Sequence, residues 1–318
     1  MNKSIVFMGT PDFAVESLRQ LIDAGVEVSA VVTSPDRPAG RGQQEQQSAV
    51  KEFALRKNLR ILQPEKLKSE DFLNELASIN AALFVVVAFR MLPEVVWQMP
   101  PKGTINLHGS LLPNYRGAAP INWAVINGEK ETGATTFFIE KEIDTGRIID
   151  AIKIPILETD NAGSVHDRLM VDGAQLLTKT VKEILNGEVH SMPQANAIGT
   201  EELKHAPKIF KPNCKIDWNQ SSRMIFNKIR GLSPYPTAWT EIIDEAGKTK
   251  SMKIFSGIPI ETLTNNSGKI TREVTDLRFG TCDGWILVKE LQLEGKKRMP
   301  VDQFLLGFKI ESTTLVIS

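Results

Sequence analysis

Apolar positions in the first 160 residues alternate between two periods. Ser4-Ile5-Val6-Phe7-Met8 is a short, nearly unbroken apolar run and predicts a buried strand. After the turn Gly9-Thr10-Pro11-Asp12, Ala14, Leu18, Leu21, Ile22 and Gly25 fall on one face of a 3.6-residue period, which predicts a helix. Asp12 suits its N-cap and Gly25 its C′ stop. The alternation continues with a strand over Val26–Thr33, a helix over Ser48–Asn58, a short strand at Ile61-Leu62 and a helix over Ser69–Asn80. Ala81–Phe89 is apolar on both faces, as a central parallel strand should be. Further strands are expected over Gly103–His108 and Thr132–Glu140, with a helix near Ile121–Asn127 and a long one over Ser164–Asn186 stopped by Gly187. Strands alternating with helices imply βαβ units, right-handed crossovers and a mainly parallel sheet, an α/β fold.

The pattern changes near residue 188. Val189–Pro212 has little periodicity and carries prolines, which suits a linker. Short β-runs then recur at Thr237–Ile243, Lys253–Ile260, Lys269–Arg278 and Trp285–Leu293, the spacing of a small all-β barrel. Charge follows the same division. The 318-residue chain has no formal net charge, yet residues 1–205 hold 21 Lys and Arg against 26 Asp and Glu, and residues 206–318 hold 17 against 12. The β-rich part is therefore the basic one, and a basic barrel suits a polyanion.

With 42% hydrophobic and 24% charged residues, the composition excludes a disordered tail, a collagen-like rod or a disulfide-stapled miniprotein. Cys214 and Cys282 have no CxxC spacing and no histidine close in sequence, so no metal is expected and a reducing compartment fits. The first residues do not read as a signal-peptide core, and the longest nearly unbroken apolar stretch is too short for a membrane helix. A soluble, cytoplasmic protein without a membrane partner is expected.

Several chemistries are missing. Gly9 is the lone glycine of the first βα turn, so the GxGxxG needed for a dinucleotide is absent. Walker A, HExxH and GxSxG motifs are absent too. The densest chemistry is Asn106-Leu107-His108-Gly109-Ser110-Leu111-Leu112-Pro113, at the C-terminal end of a central strand, where ligands of open α/β sheets bind. Asn106 and His108 are two apart and project from one face of that strand. An amide donor beside an imidazole suits acyl-type transfer, one steadying an oxyanion and the other donating to it or handling a proton. The plainer alternative is that both satisfy backbone groups at a strand end. Asp144, in the turn after the next strand, reaches the same rim if those strands are neighbours. Such a trio, with no serine or cysteine nucleophile, points to attack by the substrate's own nucleophile.

Gly9-Thr10-Pro11-Asp12-Phe13-Ala14, Pro35-Asp36-Arg37-Pro38-Ala39-Gly40-Arg41-Gly42, the run from Asn106 through His108-Gly109-Ser110-Leu111-Leu112-Pro113 to Arg116-Gly117-Ala118-Ala119-Pro120, and Asp144-Thr145-Gly146 closely resemble the methionyl-tRNA formyltransferase family. Ile216-Asp217-Trp218 and Pro234-Tyr235-Pro236 resemble the entry to that family's C-terminal domain, so the resemblance spans nearly the whole chain. It implies a Rossmann-like catalytic domain over residues 1–188, a linker over 189–207 and an OB-like, tRNA-binding β-barrel domain over 208–318. The implied reaction moves the formyl group of 10-formyltetrahydrofolate to the α-amine of methionyl-initiator tRNA, with Asn106, His108 and Asp144 catalytic. Asp144 either orients His108 or holds a water that carries the amine proton away.

On the same resemblance, Ser110, Leu111, Leu112, Pro113 and Gly117 belong to the folate site, and Phe89, Arg90, Met91 and Leu92 to its pterin wall. The long loop Ser34–Ser48, without strand or helix period, corresponds to an insertion that wedges into the tRNA acceptor end, so Arg37 and Arg41 are tRNA contacts. Lys208, Lys211, Arg223 and Arg230 are candidate phosphate contacts, the two arginines seven apart on one helical face. Two departures stand out. Gln43-Gln44-Glu45-Gln46-Gln47 occupies positions where the family often has lysines, and Ala88-Phe89-Arg90-Met91-Leu92-Pro93 lacks a glycine often found there. A monomer is expected. Two other functions stay open: the same folate chemistry on an amino sugar or ribotide, and a non-catalytic RNA-binding protein.

Overall fold

Ile5–Gly9 forms β1 and Asp12–Asp23 forms α1. The helix buries Ala14, Leu18 and Leu21, the face its period marks. Gly25, at φ +77°, follows its end as expected. Asp12 lies in the first turn rather than at the N-cap, which Pro11 occupies without a side-chain hydrogen bond. β2 (Val28–Val32), β3 (Arg37–Ala39), β4 (Gln44–Gln46), α2 (Ala49–Arg56), β5 (Ile61–Leu62), α3 (Glu70–Ser78), β6 (Leu83–Val87), α4 (Glu94–Trp97) and β7 (Thr104–His108) follow. Then come β8 (Arg116–Gly117), α5 (Pro120–Ile126), β9 (Glu131–Phe138), β10 (Ile148–Pro155) and α6 (Ala162–Asn186). This computed structural model describes residues 3–39, 44–197, 202–243 and 247–307.

The chain divides into two units. The first takes residues up to Gly117, Thr132–Ile154 and Asp167–His205; the second takes Ala118–Glu131, Pro155–His166 and the residues from Ala206 onward. The first unit holds a seven-stranded sheet in the order β10-β9-β7-β6-β1-β2-β5. β1 pairs in parallel with β2 and β6, β6 with β7, and β2 with β5; β9 runs antiparallel to β7. Strand order thus reverses at β1, and the crevice beyond the C-terminal ends of β1 and β6 is where such sheets take ligands. Gly9 has a steric reason to be glycine: a Cβ there would lie 2.6 Å from the Ala14 Cβ and 3.0 Å from the Val87 oxygen. Gly173 brings α6 close to the sheet, its would-be Cβ 3.3 Å from Leu107.

The Ser34–Ser48 segment departs from expectation. Arg37, Pro38 and Ala39 pair antiparallel with Gln46, Glu45 and Gln44, a short hairpin within the loop. Its base is tied to the unit by side chains: Thr33 to Ser48 at 2.7 Å, Thr10 to Ser34 at 3.1 Å, and Gln63, which donates to the Ser34 carbonyl at 2.8 Å. A strand of only three residues is too short for a periodicity to reveal it.

The division between the units falls within β11 (His205–Ala206), and the second unit contains α7 (Ser222–Leu232), β12 (Ala238–Ile243), β13 (Thr249–Glu261), β14 (Ile270–Arg272), β15 (Leu277–Thr281), β16 (Gly284–Leu293), β17 (Met299–Pro300) and α8 (Val301–Gly307). Its antiparallel sheet runs β12-β13-β16-β15-β14, with β17 on β16, consistent with a small barrel domain. The sheet and α7 enclose a core in which Trp218 stacks on Phe279 with ring centroids 4.8 Å apart. The run expected over Lys269–Arg278 is divided by a turn in which the Glu273 amide donates to the Asp276 carbonyl. No helix among the described residues is long and apolar enough to cross a membrane.

Candidate functional site

β7 carries Asn106 and His108 to the rim of the sheet on one face, while Ile105 and Leu107 turn to the other. His108 is almost wholly buried, and Asn106 is half-buried. The His108 Nε2 lies 2.8 Å from the Tyr115 carbonyl oxygen. A carbonyl only accepts, so Nε2 carries the hydrogen and donates it. Nδ1 is left to face Asp144, whose Oδ2 is 3.8 Å away. That separation allows charge–charge attraction but is too long for a hydrogen bond. Phe137 meets the imidazole edge-on, its centroid 6.5 Å from that of the ring.

Asp144 arrives from the connection between β9 and β10. Its Oδ2 accepts the Gly117 amide hydrogen at 2.9 Å. Its backbone is left-handed at φ +55°, and so is that of Tyr115 at φ +60°. Non-glycine residues in that region cost on the order of 1–3 kcal/mol and persist only where their surroundings fix them. For Asp144 the fixing group is Gln194, which is 3% exposed. Its Nε2 donates to the Asp144 carbonyl at 2.8 Å and to the Gly146 carbonyl at 2.9 Å. Its Oε1 accepts from Arg116 through Nε, at 3.0 Å, and Nη2. Gly146 must be glycine, because a Cβ there would sit 1.7 Å from the Phe138 oxygen. For Tyr115 the fixing groups include Lys204, whose carbonyl accepts the Tyr115 amide and whose amide donates to the Asn114 Oδ1. The trio Asn106, His108 and Asp144 thus shares one rim of the first unit.

The residues assigned to the folate surround this rim unequally. Ser110 is fully buried and donates to the Asn114 carbonyl at 2.7 Å, and Leu112 packs with Phe137 and Ile148. Pro113 is buried and Leu111 half-buried. These residues shape the loop as much as they line a cleft. Beyond β6, Phe89 is half-buried, Leu92 buried and Met91 73% exposed, so apolar surface is available there. Arg90 spends its guanidinium on the chain, donating to the carbonyls of Pro64 and Glu65, with Phe89 beneath it at 5.3 Å. Burial, and then the positive charge of Arg37, push its pKa down.

Of the expected RNA contacts, Arg37 is exposed on β3, and Arg41 lies outside the described residues. Asp36 beside it is paired with Lys51 and accepts from Gln63, and these two hold its carboxyl below the usual range. In the second unit, Lys208 and Lys211 are exposed among aromatics. Lys208 lies over Phe210, itself 58% exposed, and Lys211 and Lys215 over Trp239 at 5.7 and 5.4 Å. Arg223 is exposed and paired with Glu158 at 2.6 Å. Arg230 differs: it is 6% exposed, donating to Asn227 Oδ1 at 2.9 Å and to the Leu157 and Asp160 carbonyls. Burial pushes its pKa down too. It does share a face with Arg223, the two guanidinium groups lying 5.2 and 5.5 Å from the Phe226 ring, but packing of residues 157–160 against that face encloses it. Such a residue is not available as a surface phosphate contact.

Tyr115 and Gln194 escaped the sequence reading. Tyr115 acts through a carbonyl, which every residue has. Gln194 lies in the stretch expected to be a linker. Among the described residues no group of three or more His, Cys, Asp or Glu is placed to hold a metal ion.

Two family models match the chain: Formyl transferase over residues 2–181, and Formyl transferase, C-terminal domain, over residues 208–309. Similar curated proteins include the methionyl-tRNA formyltransferases of Bacteroides thetaiotaomicron, 51% identical over 96% of both chains, and of Parabacteroides distasonis, 54% identical over 96% of this chain and 95% of that one. Among solved structures, the sugar 3N-formyl transferase WlaRD matches with a TM-score of 0.65 at 20% identity, over 92% of this chain and 98% of that one. The N-formyltransferase from Helicobacter canadensis matches with a TM-score of 0.62 at 19% identity, over 94% of this chain and all of that one. At these identities the structural matches speak for the fold alone.

Proposed function

The chain belongs to the formyl transferase family, and from that premise we propose that it moves the formyl group of 10-formyltetrahydrofolate to the α-amino group of methionyl-initiator tRNA, giving N-formylmethionyl-tRNA for translation initiation. The observation that carries the chemistry is the His108–Asp144 pair at the rim beyond β7, with one imidazole nitrogen committed to Tyr115 and the other turned to a carboxylate.

The neutral amine attacks the formyl carbon, and the carbonyl oxygen becomes an oxyanion. The Asn106 amide donates to it, and one such donor is worth about 3–4 kcal/mol in the transition state. The imidazole works through Nδ1, since Nε2–H is held by Tyr115. The attacking amine loses a proton, N10 of the folate leaves with the bonding pair, and that nitrogen takes up a proton in turn. A carboxylate 3.8 Å from Nδ1 attracts the positive charge the ring carries when it holds that proton. Orientation of the ring falls to the Tyr115 carbonyl, which leaves Asp144 the electrostatic and proton-carrying part. Proton handling of this kind contributes about 10²–10⁴-fold.

The apolar surface of Phe89, Met91 and Leu92 suits the flat pterin, with Ser110–Pro113 and Gly117 bounding the folate site. Arg37 and Arg41 on the insertion, and Lys208, Lys211 and Arg223 on the basic unit, take the tRNA. Residues 1–188 serve catalysis and 208–318 hold the RNA. The protein works in the cytoplasm as a monomer.

The test is transfer of radiolabelled formyl from 10-formyltetrahydrofolate to methionyl-initiator tRNA, with an amino-sugar nucleotide and an aminated ribotide as competing acceptors. Formylmethionyl-tRNA as the dominant product supports the reading. Preference for either small acceptor, or no transfer by protein that binds the folate, overturns it.

A further inference from the structure

We propose that Gln194 is a positioning residue for the catalytic centre, holding Asp144 at its working distance from His108; this rests on the reading given under Proposed function. The side chain is saturated. Both Nε2 hydrogens go to carbonyls, those of Asp144 and Gly146, and Oε1 takes two donors from Arg116. It is also buried, so water does not compete for these bonds.

The target of the clamp is a backbone that resists its own conformation. Asp144 is left-handed without being glycine, and its carboxylate direction depends on that dihedral angle. Donors on the carbonyls of residues 144 and 146 hold the turn closed from one side, while the Gly117 amide fixes Oδ2 from the other. Arg116 joins the two, because it binds Gln194 through its side chain and adjoins Gly117 through its backbone. One amide side chain therefore ties the loop that carries Asp144 to the segment that carries Tyr115, the two partners of the imidazole.

Neighbouring bonds place Gln194 itself. Ile148 and Met192 exchange backbone hydrogen bonds at 2.9 and 2.8 Å, and Arg147 donates to the Ser191 hydroxyl and carbonyl. Residues 191–194 are thereby laid along the start of β10. Only glutamine supplies both donors and acceptor there. Glutamate keeps the shape and the acceptor but sets a carboxylate against two carbonyls; methionine keeps the shape alone.

The experiment compares wild type, Gln194→Glu and Gln194→Met for steady-state formylation, with the affinity of unreactive 5-formyltetrahydrofolate and the melting temperature measured alongside. Displacement of a catalytic group by about 1 Å costs on the order of 10²-fold in rate. The expected result is a kcat loss of roughly 10- to 100-fold in both variants. KM values and 5-formyltetrahydrofolate affinity should stay within about twofold, well below the melting temperature. Unchanged kcat in folded variants overturns the inference, as does a loss confined to KM. Failure of both variants to fold also overturns it, because the residue would then serve stability alone. An inactive wild type would instead defeat the underlying functional reading.

Discussion

The His108 Nε2 sits 2.8 Å from the Tyr115 carbonyl oxygen, seven positions along the chain. A neutral imidazole bound through one nitrogen to a backbone carbonyl must carry its hydrogen there, so the neutral ring is the Nε2–H tautomer. In protein carrying 15N-labelled histidine, the His108 signal at alkaline pH should show Nε2 protonated and Nδ1 bare. An Nδ1–H tautomer would mean that the Tyr115 bond is absent in solution.

Arg230 should matter for stability and little for RNA. Removing the guanidinium deletes its bonds to the Asn227 Oδ1 and to the Leu157 and Asp160 carbonyls, and a hydrogen bond to a charged group is worth about 1.5–3 kcal/mol. Arg230→Met should lower the denaturation midpoint and leave the salt dependence of tRNA binding at its wild-type slope. A flatter slope with unchanged stability would return Arg230 to the RNA face.

Lys208 and Lys211 should behave in the opposite way. Removing one lysine that neutralises a phosphate flattens the plot of log affinity against log salt by roughly 0.9. Lys208→Ala and Lys211→Ala should each weaken tRNA binding at low salt and flatten that plot, with folate affinity and melting temperature unchanged. Wild-type slopes in both would leave the aromatic-lined basic patch without a role in binding.

Asp36 gives a pH signature. Lys51 and Gln63 lower its folded pKa below the ordinary 3.8, so the unfolded chain binds more protons between those two values. The stabilisation is present above 3.8 and disappears as pH falls through the depressed value. Asp36→Asn should therefore be less stable than wild type at neutral pH, the difference closing on acidification. Urea titrations at stepped pH read this directly, and a constant gap across the range would refute it.

How much was legible in the chain depended on what kind of group did the work. Asn106 and His108 were legible as neighbours because a strand period places both on one face, and Asp144 because it lies in the turn that follows the next strand. Tyr115 contributes a carbonyl, which leaves no trace in residue type. Gln194 is 50 positions from Asp144, in a stretch without periodicity, so nothing local marks its contact. The face shared by Arg223 and Arg230 was right as helix geometry. Yet burial of one end of it is set by residues 157–160, far away in sequence. The β3–β4 hairpin failed to register for another reason: strands of three residues, Arg-Pro-Ala and Gln-Glu-Gln, are too short and too poor in apolar side chains to show hydrophobic alternation. Central strands such as β6 were plain, because complete burial demands an unbroken apolar run.

The most direct test of the chemistry is a single-turnover measurement with saturating 10-formyltetrahydrofolate and methionyl-initiator tRNA, comparing wild type with His108→Ala. The variant should remain folded and keep its folate affinity, while the rate of formyl transfer drops by about 10²–10⁴-fold. A folded variant that transfers formyl at the wild-type rate would contradict the account.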